Sequence, residues 1–201
     1  MSSVPYVYPT SPIQYAAAVI GGLLFGIAVI AKRLSTPKST DSSSARSRLS
    51  VVGIAIQGSS FVVAAAAPVK FSVPSVSGKS LLIAAVVLCL GAGGAWLFHS
   101  SARVLGANWS LVARMRLEHR LVRDGPFARV RHPIYFSMLL LLAALGIGLG
   151  HIWGLVAAIP IFVIGTLIRT HEEERLLREQ FGEEYARYAR ETPAFIPKFR
   201  L

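Results

Sequence analysis

Ionisable side chains gather in two stretches of this chain: His119 to His132, with four arginines between two histidines, and Arg169 to Glu174, with Arg169, His171 and three successive glutamates. Each stretch abuts an apolar run, Ile134–Leu149 for the first and Ile152–Ile168 for the second, and only Gly150 and His151 separate the two runs. A tight hairpin between apolar helices returns both charged ends to one side, so Arg131 and His132 are expected beside Arg169, Glu172 and Glu173. Cations, an imidazole and carboxylates at the mouth of a helix bundle make a polar pocket able to hold a charged ligand through charge-assisted hydrogen bonds.

Taken singly, the parts have plainer readings. Arg120, Arg123 and Arg129 can be topogenic anchors at a helix end. Glutamates in a first helical turn complement the helix dipole, which is enough for Glu172. His132–Pro133 can be a helix-entry turn, since proline is tolerated in a first turn. The conjunction of all three next to one hairpin favours a site.

The pattern His119-x-Leu121-Val122-x-x-Gly125-x-Phe127-x-x-x-Arg131-His132-Pro133-x-Tyr135 resembles the hallmark of the isoprenylcysteine carboxyl methyltransferase family. Downstream, Arg169-x-x-x-Glu173-Glu174-x-x-Leu177-x-x-x-Phe181-Gly182-x-x-Tyr185-x-x-Tyr188, closed by Pro193-x-x-x-Pro197, is similar to that family's C-terminal signature. Both blocks, in order and separated by one hairpin, cover Arg103 to Pro197, about half of the chain. The resemblance implies an integral membrane methyltransferase that uses S-adenosylmethionine and has no Rossmann domain. It implies that His119, Leu121, Val122, Gly125, Arg131, His132, Tyr135 and Glu174 line the cofactor site, and that Arg169 and Glu173 lie at the catalytic centre. The small residue that the family often has two positions after the motif tyrosine is here Ser137, a modest departure.

Methyl transfer from a sulfonium is an in-line displacement in which positive charge on sulfur disappears, so alignment and exclusion of water are the protein's main tasks. No metal is required. Glu174 and either His132 or Arg131 would meet the amino and carboxylate ends of the cofactor, and Tyr135 and Phe127 offer aromatic faces for the adenine or the sulfonium. A carboxylate acceptor needs only positioning, for which the planar fork of Arg169 is suited. An amine acceptor needs a base, which Glu173 could be if burial raises its pKa.

The elements that must position these residues follow from composition. With 53% hydrophobic and 15% charged residues among 201, the chain does not fit a soluble globule. Its apolar residues form runs near bilayer length, Tyr15–Ala31, Val51–Val69 and Ser80–Phe98 preceding the two already named. An all-α polytopic membrane protein of about five transmembrane helices is expected, with an amphipathic helix over Glu172–Arg190 that lies along the membrane surface or folds back over the cytoplasmic ends of the bundle, where Leu176, Leu177, Phe181, Tyr185 and Tyr188 recur at helical spacing. The first apolar run lacks a basic preceding region and reads as a retained helix. Ser35–Ser50 reads as a mobile linker, and the glycines Gly21, Gly22, Gly26, Gly91, Gly93 and Gly94 as points of close helix approach. Residues 1–100 would then be a three-helix scaffold and 101–201 the methyltransferase core.

Lysines and arginines orient the bundle. Lys32, Arg33, Lys38, Arg46 and Arg48, the seven arginines from Arg103 to Arg131, and the tail from Arg169 fall on alternate loops, which places them in the cytoplasm and the N-terminus outside. A cytoplasm-facing site, most simply in a bacterial inner membrane, follows. The net charge of +11 is explained by these loops and by anionic headgroups, without nucleic acid as a partner. Cys89 is the single cysteine, which argues against a thiolate metal site.

The partner is then a lipophilic or prenylated small molecule entering from the bilayer. Three rival readings stand beside the prenylcysteine carboxylate: N-methylation of a phospholipid or other lipid amine, a sterol-reductase-like enzyme using a nicotinamide cofactor, and a non-catalytic transporter or channel subunit. Against the last, the first three runs carry no charge near their middles.

Overall fold

A computed structural model describes residues 10–36, 48–66, 68–71, 76–109 and 120–196. Most of the expected linker, together with His119 and Pro197, lies outside the described residues. Five helices follow in order: α1 Pro12–Ser35, α2 Arg48–Ala65, α3 Gly78–Leu105, α4 Pro133–Gly148 and α5 Ile152–Glu191. Among the described residues the one extended pairing is an isolated bridge between Thr10 and Phe71, so the all-α class holds.

The helix ends follow local chemistry. Ser11 caps α1 by accepting from the Gln14 amide at 3.3 Å, while the Gln14 side chain accepts from the Ser11 amide at 3.2 Å, and Pro12 occupies the first turn. Lys32 and Arg33 sit in its last turn, where cations complement exposed carbonyls. Lys32 Nζ donates to the carbonyl of Gly106 just past α3, at 2.7 Å, which ties these two ends together.

Four helices are long and apolar enough to cross a membrane, and α4 is a shorter apolar helix of 16 residues, about 24 Å long at the α-helical rise. The outer faces are apolar: Leu23, Ile27, Val62, Leu82 and Trp96 are 61–69% exposed. Such surfaces fit acyl chains and not water. The chain is an integral membrane protein.

The inward faces are built from small residues. Gly21 and Gly91 let α1 and α3 touch through backbone, since a Cβ added at Gly21 would stand 2.9 Å from the Gly91 Cα. Gly94 is equally tight against α4, whereas Gly26 and Gly93 have nothing within 4 Å and do not serve this purpose. The α2–α5 crossing rests on Gly53 and Gly165, where a Cβ on Gly165 would come within 2.6 Å of the Gln57 amide nitrogen. α1 and α3 pack along α4, α2 packs along α5, and α4 touches every other helix.

The amphipathic helix over Glu172–Arg190 has no start of its own: α5 continues from its apolar part straight into the charged region as far as Gly182, with φ 47° and ψ −122°, and beyond that turn it folds back onto the connector before α4. The run Arg169 to Phe181 carries good helix formers and no Gly or Pro to stop it. The three glutamates therefore lie within a helix and cap no N-terminus.

Candidate active site

The connector before α4 is shaped by its own sequence. Gly125, at φ 59°, opens the 3₁₀ turn Gly125–Ala128, which buries Phe127. Arg131 and His132 follow in a stretch whose backbone amides donate to the carbonyls of Pro193 (2.9 Å) and Ala194 (3.0 Å). The segment that leaves α5 thus pairs with the segment that enters α4. Tyr188 adds a third tie, its hydroxyl donating to the Phe127 carbonyl at 2.7 Å.

Glu174 is the centre of an ion cluster. Its Oε1 accepts from Arg131 Nε (3.0 Å) and Nη2 (2.8 Å) and lies 2.9 Å from His132 Nε2, while its Oε2 accepts from Arg178 Nη2 at 2.9 Å. Arg131 Nη1 donates to the carbonyls of Ala189 (2.9 Å) and Thr192 (2.7 Å), satisfying groups at the end of α5 that have no helical partner. Burial would push the Glu174 carboxyl up, but hydrogen bonds from His132 and Arg131, with the charge of Arg131, outweigh it and hold the pKa at about 2. Burial and the Glu174 charge raise Tyr185, and burial raises Tyr188 to about 12, so both phenols stay protonated at physiological pH.

A second layer is built on Tyr135, Glu173 and Arg169. Tyr135 donates a short hydrogen bond to Glu173 Oε1, and Glu173 Oε2 lies 3.8 Å from His132 Nδ1. The Arg169 guanidinium stacks over the Tyr135 ring, 4.9 Å from its centroid. Glu172 points elsewhere and accepts from Arg175 at 3.0 Å, because successive residues on a helix differ by about 100° in direction.

These groups border a cavity of about 290 Å³, near the lower end of ligand-sized pockets, roughly 300–1,000 Å³. Of the residues singled out in the sequence, Leu121, Val122, Arg131, His132, Tyr135, Arg169 and Glu173 line it, and so does Phe127. Gly125 and Glu174 are not on its wall: Gly125 shapes the turn beside it, and Glu174 stands behind Arg131 and His132. The apolar remainder comes from Phe25 and Val29 of α1, Phe98 and Leu105 of α3, Trp109, Met138 and Leu176. Three contributors were not legible as such in the sequence. Tyr185 and Tyr188 read as part of the C-terminal signature and of an amphipathic face, with no site role assigned, yet they line the cavity. Gln57 of α2 lies in the part of the chain expected to be scaffold, yet its Oε1 accepts from Arg169 Nη1 at 2.6 Å. A buried amide one helical turn from Gly53 on an apolar helix was the available signal.

Comparison with known proteins bears on the same region. The cobalt-zinc-cadmium resistance protein CzcN of Cupriavidus metallidurans is 34% identical over 108 residues, which is 50% of this chain and 47% of that protein. The chain therefore spans about half the length of the curated relative it matches. The family model described as phospholipid methyltransferase matches residues 81–184, from the start of α3 to just past the turn at Gly182, and so takes in both ion layers. With slightly more than half of its length matched, this chain belongs to the phospholipid methyltransferase family of membrane proteins.

Proposed function

We propose that this protein is an S-adenosylmethionine-dependent methyltransferase that modifies a lipophilic acceptor at the cytoplasmic face of its membrane. The observation that carries the proposal is the convergence of His132, Tyr135, Arg169 and Glu173, from two distant segments, on one cavity against apolar walls of α1 and α3. The lining fits the cofactor: the Arg131 guanidinium for its carboxylate, and the aromatic faces of Phe127 and Tyr135 for adenine or sulfonium. When bound, that cofactor supplies an electrophilic methyl group.

The chain's own residues do the rest. Arg131 and His132, held by Glu174, would present a guanidinium and an imidazole to the cofactor, beside the apolar side chains of Leu121 and Val122. Arg169 and Glu173 face the acceptor at the inner end, where the apolar wall excludes water and receives a lipid tail from the bilayer. The fork of Arg169 would orient an acceptor carboxylate, and Glu173 would take the proton from an acceptor amine. The family match favours methyl transfer over the reductase and transporter readings. It supports a lipid amine as readily as a prenylcysteine carboxylate, and both belong in the assay.

The test is calorimetric titration of the detergent-purified protein with S-adenosylmethionine, beside His132→Ala and Glu174→Ala. Saturable binding that both variants lose is the expected result. A folded wild-type protein that binds none would overturn the reading. Methyl transfer to a farnesylcysteine derivative and to phosphatidylethanolamine vesicles, followed by mass spectrometry, then distinguishes ester from amine products.

A further inference from the structure

We propose that Gln57 of α2, outside the segment matched to the family, is a positioning residue for methyl transfer that fixes the guanidinium of Arg169. This rests on the function proposed above and extends the site into the helices expected to be scaffold only. Gln57 is 1% exposed and sits on the one buried face of α2, with Ser50, Gly53, Ser60 and Ala64. A buried amide is costly unless its groups are paired, and here both ends are: Oε1 accepts from Arg169 Nη1 at 2.6 Å and Nε2 donates to Thr166 Oγ1 at 2.7 Å.

The backbone is arranged for this contact. A Cβ on Gly53 would lie 2.6 Å from Arg169 Cγ, so only glycine leaves room for the arginine stem across the crossing. Thr166 and Arg169 are one turn apart on α5 and hold the two ends of the same amide, which sets its orientation. From there Arg169 lies over Tyr135, and Tyr135 bonds Glu173, so the orientation fixed by Gln57 passes directly to the cavity wall. Packing alone would be served by an apolar side chain of this volume. An amide oxygen also orients the guanidinium without cancelling its charge, as a glutamate would, which leaves that charge available to an acceptor.

Gln57→Met keeps the volume and removes both hydrogen bonds. S-adenosylmethionine affinity and its KM should stay within about twofold, because Gln57 is not on the cavity wall, while kcat on the farnesylcysteine or phosphatidylethanolamine probe falls by about 30-fold. Adding Gln57→Met to Arg169→Met should cause no further loss, since Gln57 acts through Arg169. In cofactor-free protein labelled with 15N-arginine, the Nη signals lost in Arg169→Met should shift in Gln57→Met and not in Ser59→Ala. Losses that add in the double variant, or arginine signals unmoved by Gln57→Met, would overturn the proposal. If Gln57→Met does not fold, Thr166→Val, which frees the amide to turn, should move the same signals and lower kcat in the same direction; unchanged signals in it count against the proposal. Failure of the wild type to bind the cofactor sinks the methyltransferase reading instead, and the arginine signals still decide whether Gln57 holds Arg169.

Discussion

Glu174 holds the guanidinium groups of Arg131 and Arg178 and the imidazole of His132 with two oxygens, and its role is best seen in what its loss would do. Replacing it by Gln leaves Arg131 half-paired in a partly buried place, a change that commonly costs about 3–5 kcal/mol when the pair is fully buried and less here. The sign of its pH dependence is fixed by its lowered pKa. Such a carboxylate contributes stability above its ordinary value of 4.5, and the contribution is lost as pH falls toward about 2. Thermal unfolding of purified protein should therefore show a melting temperature that declines through this window, and Glu174→Gln should start lower at pH 7 and lose that decline. Parallel curves for the two proteins would assign the acid sensitivity to another group. Tyr188→Phe deletes one hydrogen bond, to the Phe127 carbonyl. Its expected cost is about 1 kcal/mol, read as a small fall in melting temperature with weaker cofactor binding.

At the level of elements, α5 does two jobs that the sequence divides. Its apolar part crosses the membrane against α2, and its charged part carries Arg169, Glu173 and Glu174 to the end of α4 in one rigid rod. Gly182 is the joint that lets the rod turn back, bringing Tyr185 to the cavity and Tyr188 onto the connector. Its φ of 47° is one that side chains resist, so Gly182→Ala should cost about 1–2 kcal/mol. It should also weaken S-adenosylmethionine binding by about tenfold, measured by calorimetry, since the strain can be relieved only by moving those tyrosines. Wild-type affinity in this variant would show that the turn is not needed for the site. Gly165→Leu acts elsewhere, prying α2 from α5, and should abolish the monodisperse folded peak in detergent chromatography.

For the whole molecule, all five helices place their basic flanks at one end. Lys32, Arg33, Arg48, Arg103, Arg131 and Arg169 share it, whereas Lys70, Lys79 and His151 lie at the other. Orientation can be read with single cysteines on a Cys89→Ser background. Gln180→Cys, beside the site, should react with a membrane-impermeant maleimide only from the cytoplasmic side, and Val76→Cys only from the opposite side. The reverse pattern would place the site outside the cell and remove its access to a cytosolic cofactor.

The class of protein was legible in the sequence, and so were the residues from which a site could be proposed. Apolar runs of bilayer length have no alternative to helices, since backbone groups in lipid must be paired internally. The two-residue joint at Gly150 and His151 then brought Arg131, His132 and Tyr135 to Arg169 and Glu173. Local patterns could not show that Glu172–Arg190 continues α5, because an amphipathic stretch has the same periodicity lying on a membrane as it has extending a transmembrane rod. Nor could they show that Glu174 stands behind the cavity with Glu173 on its wall, which is set by the rotation of α5 against α4. Gln57 is the clearest case. Its partner is 112 positions away, and only the close crossing of two glycine-lined helices, a property of tertiary packing, decides that a buried amide in α2 meets the arginine of α5.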